Sequence, residues 1–138
     1  MNKSYQKKMD IAQRLRETAV KNYKRVCPDG DDDLACMCAI VSYSLAKAFK
    51  KVGFKAKVIE GTFYNNSHCW VVSGNKRWDL TATQFRRSNT PYPEIFITNL
   101  SEKKGIYSKG IVKKSFRDWP TSQRPTKSRN LLLLRSMK

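Results

Sequence analysis

The spacing of hydrophobic and polar positions changes once along the chain, and the change divides it into a helical part and a strand part. In residues 1–26 apolar side chains recur every three or four positions, which is typical of an amphipathic helix. The apolar stripe consists of Ala12, Leu15, Ala19, Tyr23 and Val26, with Arg14, Arg16, Lys21 and Lys24 outside it. The polar run CPDGDDD then ends this helix, and its aspartates are placed to cap and charge the start of the next one.

A second helix is predicted over residues 34–52, in the segment LACMCAIVSYSLAKAFKKV. Apolar positions cover most of its circumference, so the pattern predicts a central helix that is buried on several sides. Lysines gather at its C-terminal end, where they suit the macrodipole, and Gly53 follows as a helix-ending residue. The expected buried face contains Cys38, Ile40, Val41, Tyr43, Leu45, Ala46, Ala48, Phe49 and Val52.

After Phe54 the period changes to two, which is typical of β-strands. Four strands are predicted, KAKVIEGTFY, HCWVV, RWDLTAT and EIFITNL, separated by the turn-forming sequences YNNS, SGNK and SNTPYP. The C-terminal segment is expected to add an irregular or helical piece, with room for a last strand. Helices followed by consecutive antiparallel strands define the α+β fold class.

The charge is unevenly distributed within what we expect to be a single domain, 1–138. The formal net charge is +17, with eight basic and two acidic side chains in residues 1–26 and eleven and two in residues 100–138. Residues 27–99 carry nine basic and seven acidic side chains and are nearly neutral. The domain is therefore divided into a basic amphipathic helix, 1–26, a middle block, 27–99, and a basic C-terminal segment, 100–138. The basic flanks could attract an acidic partner or a nucleic acid.

Neither a membrane span nor a secretion signal is evident in the sequence. No stretch reaches the ~18 apolar residues that a spanning helix needs, and the first twenty residues contain no apolar signal segment. We therefore expect a cytoplasmic protein. In that compartment the four cysteines are expected to be thiols, ligands or catalysts rather than disulfides.

The middle block contains the chain's one histidine, His68, eleven positions before Asp79. The turn at 73–76 predicts a hairpin between the two strands that carry them. If Val72 pairs with Arg77, the imidazole lies diagonal to the carboxylate. If Val72 pairs with Asn75, the two lie directly opposite. Both registers place them on one face of the sheet, whereas a slip of one residue would separate them.

A carboxylate beside a histidine fixes its tautomer and stabilises the imidazolium, as in a nucleophilic triad. The nucleophile is expected among the cysteines that open the second helix, because a helix N-terminus and an imidazolium both lower the pKa of a thiol. Both Cys36 and Cys38 lie there, and position relative to the cap slightly favours Cys36. Cys69 alternates away from His68 and should pack on the opposite face of its strand, and Cys27 lies in a loop.

The order of these features resembles the transglutaminase-like branch of the papain-like cysteine enzymes. A cysteine opens a helix, a G-x-x-A turn leads into a strand, and H-x-W and D-x-T follow on the next two strands. The matching segments are CAIVSYSLAKAFKKVGFKAKVIEG, SHCWVV and WDLTATQF. The resemblance implies a papain-like fold and a triad of Cys38, His68 and Asp79. The implied activity is thiol-mediated acyl transfer, that is hydrolysis, deamidation or transamidation, on a protein or peptide.

The family's spacing between the nucleophile and the glycine that ends the helix favours Cys38, fifteen residues before Gly53, and leaves Cys36 as the secondary candidate. The paired cysteines depart from the family's single cysteine, and no upstream glutamine or aromatic residue is evident to complete an oxyanion hole. Backbone N–H groups at the start of the helix are expected to supply part of it. Trp70, Trp78, Gln84 and Phe85 are expected to be structural: the tryptophans in the core, the other two anchoring the end of the hairpin.

Three alternatives accompany this hypothesis. The first is a zinc site, with candidate ligands Cys27, Cys36, Cys38, His68 and Cys69. The chain lacks paired C-x2-C knuckles, so neither a metal nor a cofactor is expected. The second is a basic nucleic-acid-binding module with structural or zinc-binding cysteines. The third is an inactive family member that serves as a binding scaffold, since a fold does not guarantee its chemistry.

Overall fold

The structure is a computed structural model. It describes residues 2–27, 34, 37–63, 66–85, 92–102, 106–107, 110–115, 117 and 127–137. Within these ranges the helices are α1 Lys3–Val26, α2 Cys38–Lys51 and α3 Lys127–Ser136, and the strands are β1 Lys57–Phe63, β2 Asn66–Ser73, β3 Lys76–Asp79, β4 Phe96–Asn99 and β5 Ile111–Lys113. The strands pair antiparallel in the order β4-β3-β2-β1-β5. The structure therefore confirms the α+β class predicted from the sequence.

The hairpin between β2 and β3 has a two-residue turn. Val72 pairs with Arg77 across it, and Gly74 and Asn75 are its central residues. The φ angle of Gly74 is +64°, whereas Asn75 has no positive φ, and this combination matches a type II′ turn. Of the two registers considered for the hairpin, the structure adopts the one in which Val72 pairs with Arg77.

Helix α2 lies at the centre of the fold, packed against β1 and β2 and against α1 and α3. The fully buried ring of Phe49 contacts Trp78 of β3 edge to face, with ring centroids 5.4 Å apart. The expectation that Val52 is buried is wrong: it is 41 % exposed, because α2 ends at Lys51 and Val52 belongs to the following turn. No helix in the described part of the chain is long and apolar enough to cross a membrane.

Helix α2 begins later than the sequence predicts. Its first residue is Cys38, Met37 is the N-cap residue, and the first turn contains no acidic side chain. An aspartate therefore does not cap this helix, and residues 31–33 lie outside the described ranges. Leu34 has a φ of +65°, a left-handed conformation, so it cannot be the first residue of a right-handed helix.

The third strand and the C-terminal segment also differ from the prediction. Strand β3 ends at Asp79, and Ala82–Gln84 forms a short 3-10 helix. The extended conformation ends there because the carboxylate of Asp79 accepts a hydrogen bond from the N–H of Thr81, which turns the chain. In the C-terminal segment the last strand is β5, an edge strand paired with β1, and the LLLL run lies in α3.

Replacing Phe49 with alanine should lower the free energy of unfolding by about 3–5 kcal/mol, because a fully buried ring leaves a cavity between α2 and β3. Lys47→Ala, at an exposed position of the same helix, is the matched control and should change it by less than about 0.5 kcal/mol. Chemical denaturation measures both. Equal effects would contradict the central position of α2.

Candidate active site

The structure brings together Cys38, His68 and Asp79 from three different elements. Cys38 is the first residue of α2, His68 lies on β2, and Asp79 is the last residue of β3. Because α2 packs on β2, the N-terminus of the helix meets the strand that carries the imidazole. His68 and Asp79 are buried, whereas Cys38 is half-buried and keeps part of its surface open to solvent.

The imidazole of His68 and the carboxylate of Asp79 form a buried ion pair. His68 Nε2 lies 2.8 Å from Asp79 Oδ2, to which it donates. Burial alone lowers the pKa of His68. The charge and the hydrogen bond of Asp79, together with the contact of Cys38, outweigh this effect and raise the pKa to about 10. The folded protein therefore holds an imidazolium at neutral pH.

The carboxylate of Asp79 is held by donors on both oxygens. The hydroxyl of Tyr107 donates to Oδ2 at 2.8 Å, so this oxygen serves both the phenol and the imidazole. The N–H of Thr81 donates to Oδ1 at 3.0 Å, and the Thr81 hydroxyl lies 3.4 Å from the same atom. Burial, and then the charge and hydrogen bond of Asp79, raise the pKa of Tyr107, which keeps the phenol a donor. These contacts fix the carboxylate's position.

The thiol of Cys38 meets two side chains where α2 contacts the sheet. The hydrogen bond from the side chain of Cys69 lowers the pKa of Cys38 most, while burial raises it. The hydrogen bond and charge of His68, and the backbone N–H of Cys69, lower that pKa further, to well below its ordinary value. These contacts of Cys38 therefore favour its thiolate form, the state in which a cysteine is a nucleophile.

Cys69 lies in the hydrophobic core on the α2 side of the sheet, while the ring of its neighbour His68 contacts aromatic side chains. The expected alternation is observed, but Cys69 also reaches Cys38, which the sequence did not indicate. Burial, and then the hydrogen bond and charge of Cys38, raise the pKa of Cys69 far above its usual range. Cys69 therefore stays protonated and donates its S–H to the Cys38 thiolate.

Gln84 is a further polar neighbour of the imidazole. Its Nε2 lies 3.3 Å from His68 Nδ1. Because Asp79 occupies Nε2, Nδ1 is the ring nitrogen that faces Cys38 and Gln84. The amide nitrogen of Gln84 can donate to Nδ1 only in the neutral imidazole, since both nitrogens of an imidazolium are donors. The ring of Phe85 meets the imidazole edge to face, with centroids 4.8 Å apart. The two residues expected to anchor the hairpin thus contact the histidine itself.

Arg16 of α1 fixes the turn that carries Gln84. The expectation that Arg16 lies off the buried stripe is wrong: it is buried, and its guanidinium donates to the carbonyl of Leu80 and, at 3.1 Å, to Oγ1 of Thr83. The residue lies four positions after Ala12, so its position matches the stripe's helical spacing. A basic residue at a core position was the signal that could have identified it.

Aromatic rings surround the imidazole on the face of the sheet away from α2. Phe63 and Trp70 flank His68, with centroids 5.4 and 6.2 Å from its ring, and Tyr107 packs on both of them. Trp70 and Trp78 are both buried, as the sequence predicts, but on opposite faces, because Trp78 packs on α2. Low-polarity surroundings strengthen the charge interactions of His68. The contribution of Tyr107 was missed, because no local pattern links residue 107 to the hairpin.

The secondary candidate Cys36 lies outside the described residues. Its expected role as a metal ligand therefore lies outside them as well. Among the residues that the structure describes, no group of three or more His, Cys, Asp or Glu side chains is arranged to hold a metal ion. Cys27, at the end of α1, is half-buried and is a reduced thiol.

Comparisons of the chain with protein-family models, with curated proteins and with solved structures give no match. What the structure establishes is an α+β arrangement of helices on an antiparallel sheet. An inference about function therefore depends on the geometry of the site and on the resemblance of its motifs.

Asp79→Asn should lower the pKa of His68 from about 10 by at least about one unit, because burial then opposes the imidazolium without the carboxylate's charge. NMR titration is direct, since the chain has one histidine and so one imidazole signal. Glu94→Gln removes an equal charge at an exposed position and should leave the midpoint unchanged. An unchanged midpoint in Asp79→Asn would contradict the charge pairing.

The raised pKa of His68 also determines the direction in which the free energy of unfolding changes with pH. The folded pKa of His68, about 10, exceeds the ordinary value of 6.5. The pair therefore contributes stability that is complete below pH 6.5 and is lost as the pH rises through 10. Asp79→Asn should flatten this alkaline loss in denaturation curves measured between those pH values.

Arg16→Met should lower the free energy of unfolding by about 1.5–3 kcal/mol, because the buried carbonyl of Leu80 loses a charged donor. Amide exchange at Thr81 and Gln84 should accelerate as the turn loosens. Lys21→Met, exposed on the same helix, is the matched control and should alter neither quantity. Slow exchange at these amides in Arg16→Met would show that Arg16 does not hold the turn.

Proposed function

We propose that the protein is a cysteine-dependent acyl-transfer enzyme that acts on a protein or peptide through Cys38, His68 and Asp79. One observation carries the proposal: a buried imidazole is bonded to a carboxylate at one nitrogen and meets a half-buried helix-terminal thiol with its other side. This order of groups activates a sulfur nucleophile, because the carboxylate stabilises the imidazolium and the imidazolium stabilises the thiolate.

In the proposed reaction the thiolate of Cys38 attacks the carbonyl carbon of an amide, forming a C–S bond and a tetrahedral oxyanion. The imidazolium of His68 gives its proton to the leaving amine as the C–N bond breaks, which leaves a thioester. The neutral imidazole then accepts a proton from water or from a second amine, which attacks the thioester and releases Cys38. Water gives peptide hydrolysis or deamidation, and an amine gives transamidation.

The N-terminus of α2 supplies donors for the oxyanion. The first N–H groups of a helix have no acceptor within the helix, and they point along the positive end of the macrodipole. Because the helix begins at Cys38, the N–H groups of Cys38 and Ala39 lie next to the attacking sulfur. Donors fixed in this way stabilise the developing charge without reorganisation.

The finer assignment to the papain-like fold is part of the same proposal. Two features support it: a buried central helix with the nucleophile as its first residue, and an antiparallel sheet that carries the histidine and the aspartate on adjacent strands. A further support is that the neighbours of Cys38 and His68 shift the pKa of each in the direction that the chemistry needs.

Alkylation by iodoacetamide at pH 6 tests the proposal. A thiol with a pKa of about 8.5 is under about 1 % thiolate at that pH, so Cys38 should react about ten- to a hundredfold faster than Cys27 and Cys69. Mass spectrometry of the labelled peptides identifies the site and also reports on Cys36. Asp79→Asn should shift the reactivity of Cys38 to higher pH, whereas Cys27→Ser should leave it unchanged.

A second measurement addresses acyl transfer itself. An activated ester such as p-nitrophenyl acetate should leave an acetyl group on Cys38, with a burst of p-nitrophenol. Uniformly slow alkylation, unaffected by Asp79→Asn, would overturn the enzyme assignment and favour an inactive scaffold. Joint protection of several cysteines that a chelator releases would favour the zinc alternative.

A further inference from the structure

The mechanism of acyl transfer makes no covalent use of Cys69, although this thiol lies against the reactive sulfur. Cys69 is fully buried in the core cluster, and Cys38 packs against that cluster from the start of α2. The two side chains are hydrogen-bond partners, and both cysteines are reduced. The sulfur-bearing side chain of Cys38 is partly open to solvent, whereas that of Cys69 is fully buried.

We propose that Cys38 and Cys69 are a reversible disulfide site, in which a peroxide oxidises Cys38 and Cys69 resolves the product. Accessible thiolates are the cysteines that peroxides oxidise first, and a second cysteine beside such a thiolate can convert the oxidised form to a disulfide. The inference goes beyond the proposed function, because it requires the thiolate of Cys38 but no acyl substrate.

The first step oxidises the sulfur of Cys38 and reduces the peroxide. The thiolate attacks one oxygen of hydrogen peroxide, so that an S–O bond forms and the O–O bond breaks. The departing hydroxide takes the proton of the His68 imidazolium and leaves as water. The products are a sulfenic acid on Cys38, a neutral imidazole and one water molecule.

In the second step Cys69 displaces this hydroxyl group. The sulfur of Cys69 attacks that of Cys38, an S–S bond forms, the S–O bond breaks, and the hydroxyl leaves with the Cys69 proton as a second water molecule. Formation of the sulfenic acid assists this step. The negative charge of Cys38, which helps to raise the pKa of Cys69, is then gone.

The position of Cys69 also protects the site. Because Cys69 is a neighbour of Cys38 where α2 packs on β2, it is placed to reach the oxidised sulfur. The disulfide blocks the nucleophile and stops further oxidation to the irreversible sulfinic acid. A thiol reductant restores the thiolate.

Peptide mapping of the full chain after oxidation tests the site. The reduced protein is treated with hydrogen peroxide at pH 7, blocked with N-ethylmaleimide and digested with trypsin without reduction. Cleavage leaves Cys38 in peptide 26–47 and Cys69 in peptide 58–76. The expected main product is these two peptides joined, with fragmentation locating the bond at Cys38, and dithiothreitol should separate them.

Substitutions test whether Cys69 reacts with oxidised Cys38 or only lies beside it. In Cys69→Ala the same peroxide dose should convert Cys38 to sulfinic acid, and the free Cys38 recovered with dithiothreitol should fall at least tenfold relative to the unsubstituted chain. Cys27→Ser is the matched control and should match the unsubstituted chain. The mapping of the unsubstituted chain decides the question alone if Cys69→Ala fails to fold.

Three results would overturn the inference: a bond between Cys36 and Cys38, sulfinic acid on Cys38 beside an unmodified Cys69, or peroxide resistance of all four cysteines. The proposed function fails separately, by the absence of an acetyl-enzyme. A chain that forms the disulfide but no acetyl-enzyme would retain the redox site and lose the acyl transferase assignment. The converse result would retain the transferase and remove the redox site.

Discussion

The two-residue turn between β2 and β3 is the constraint on which the site depends. Gly74 supplies the positive φ that a type II′ turn needs, and the turn sets the pairing of Val72 with Arg77. That register puts His68 and Asp79 on one face, where they meet at 2.8 Å. Strand side chains alternate between faces, so a slip of a single residue would move the carboxylate into the core.

The charge of Asp79 acts on Cys38 through the imidazole. The carboxylate raises the pKa of His68, and the imidazolium, after the hydrogen bond of Cys69, lowers the pKa of Cys38. The two shifts reinforce each other, because each charge favours the other, and low-polarity aromatic surroundings strengthen the coupling. Tyr107 belongs to the same system, since its hydroxyl shares Oδ2 of Asp79 with the imidazole. The phenol thereby positions the carboxylate without touching the sulfur.

The sequence predicts the parts of this arrangement that depend on short-range rules. Alternation along β2 and a short turn are local, so the contact of His68 with Asp79 could be inferred, as could the central helix from its apolar circumference. The start of that helix could not be inferred, because nothing in the sequence indicates that Leu34 adopts a left-handed backbone conformation. Tyr107 reaches Asp79 through an isolated bridge between residues 63 and 107, a long-range pairing that no local pattern encodes.

Arg16 and Tyr107 give the site a property that concerns folding. They belong to the two basic flanks, yet one holds the turn after Asp79 and the other holds the carboxylate itself. Contacts between residues so far apart in sequence form late, because closing long loops costs entropy before the contacts repay it. The carboxylate of Asp79 therefore gains its full set of contacts only when the chain from Arg16 to Tyr107 has been made. Both ends of the sequence are thus needed to hold one carboxylate in the middle of the sheet.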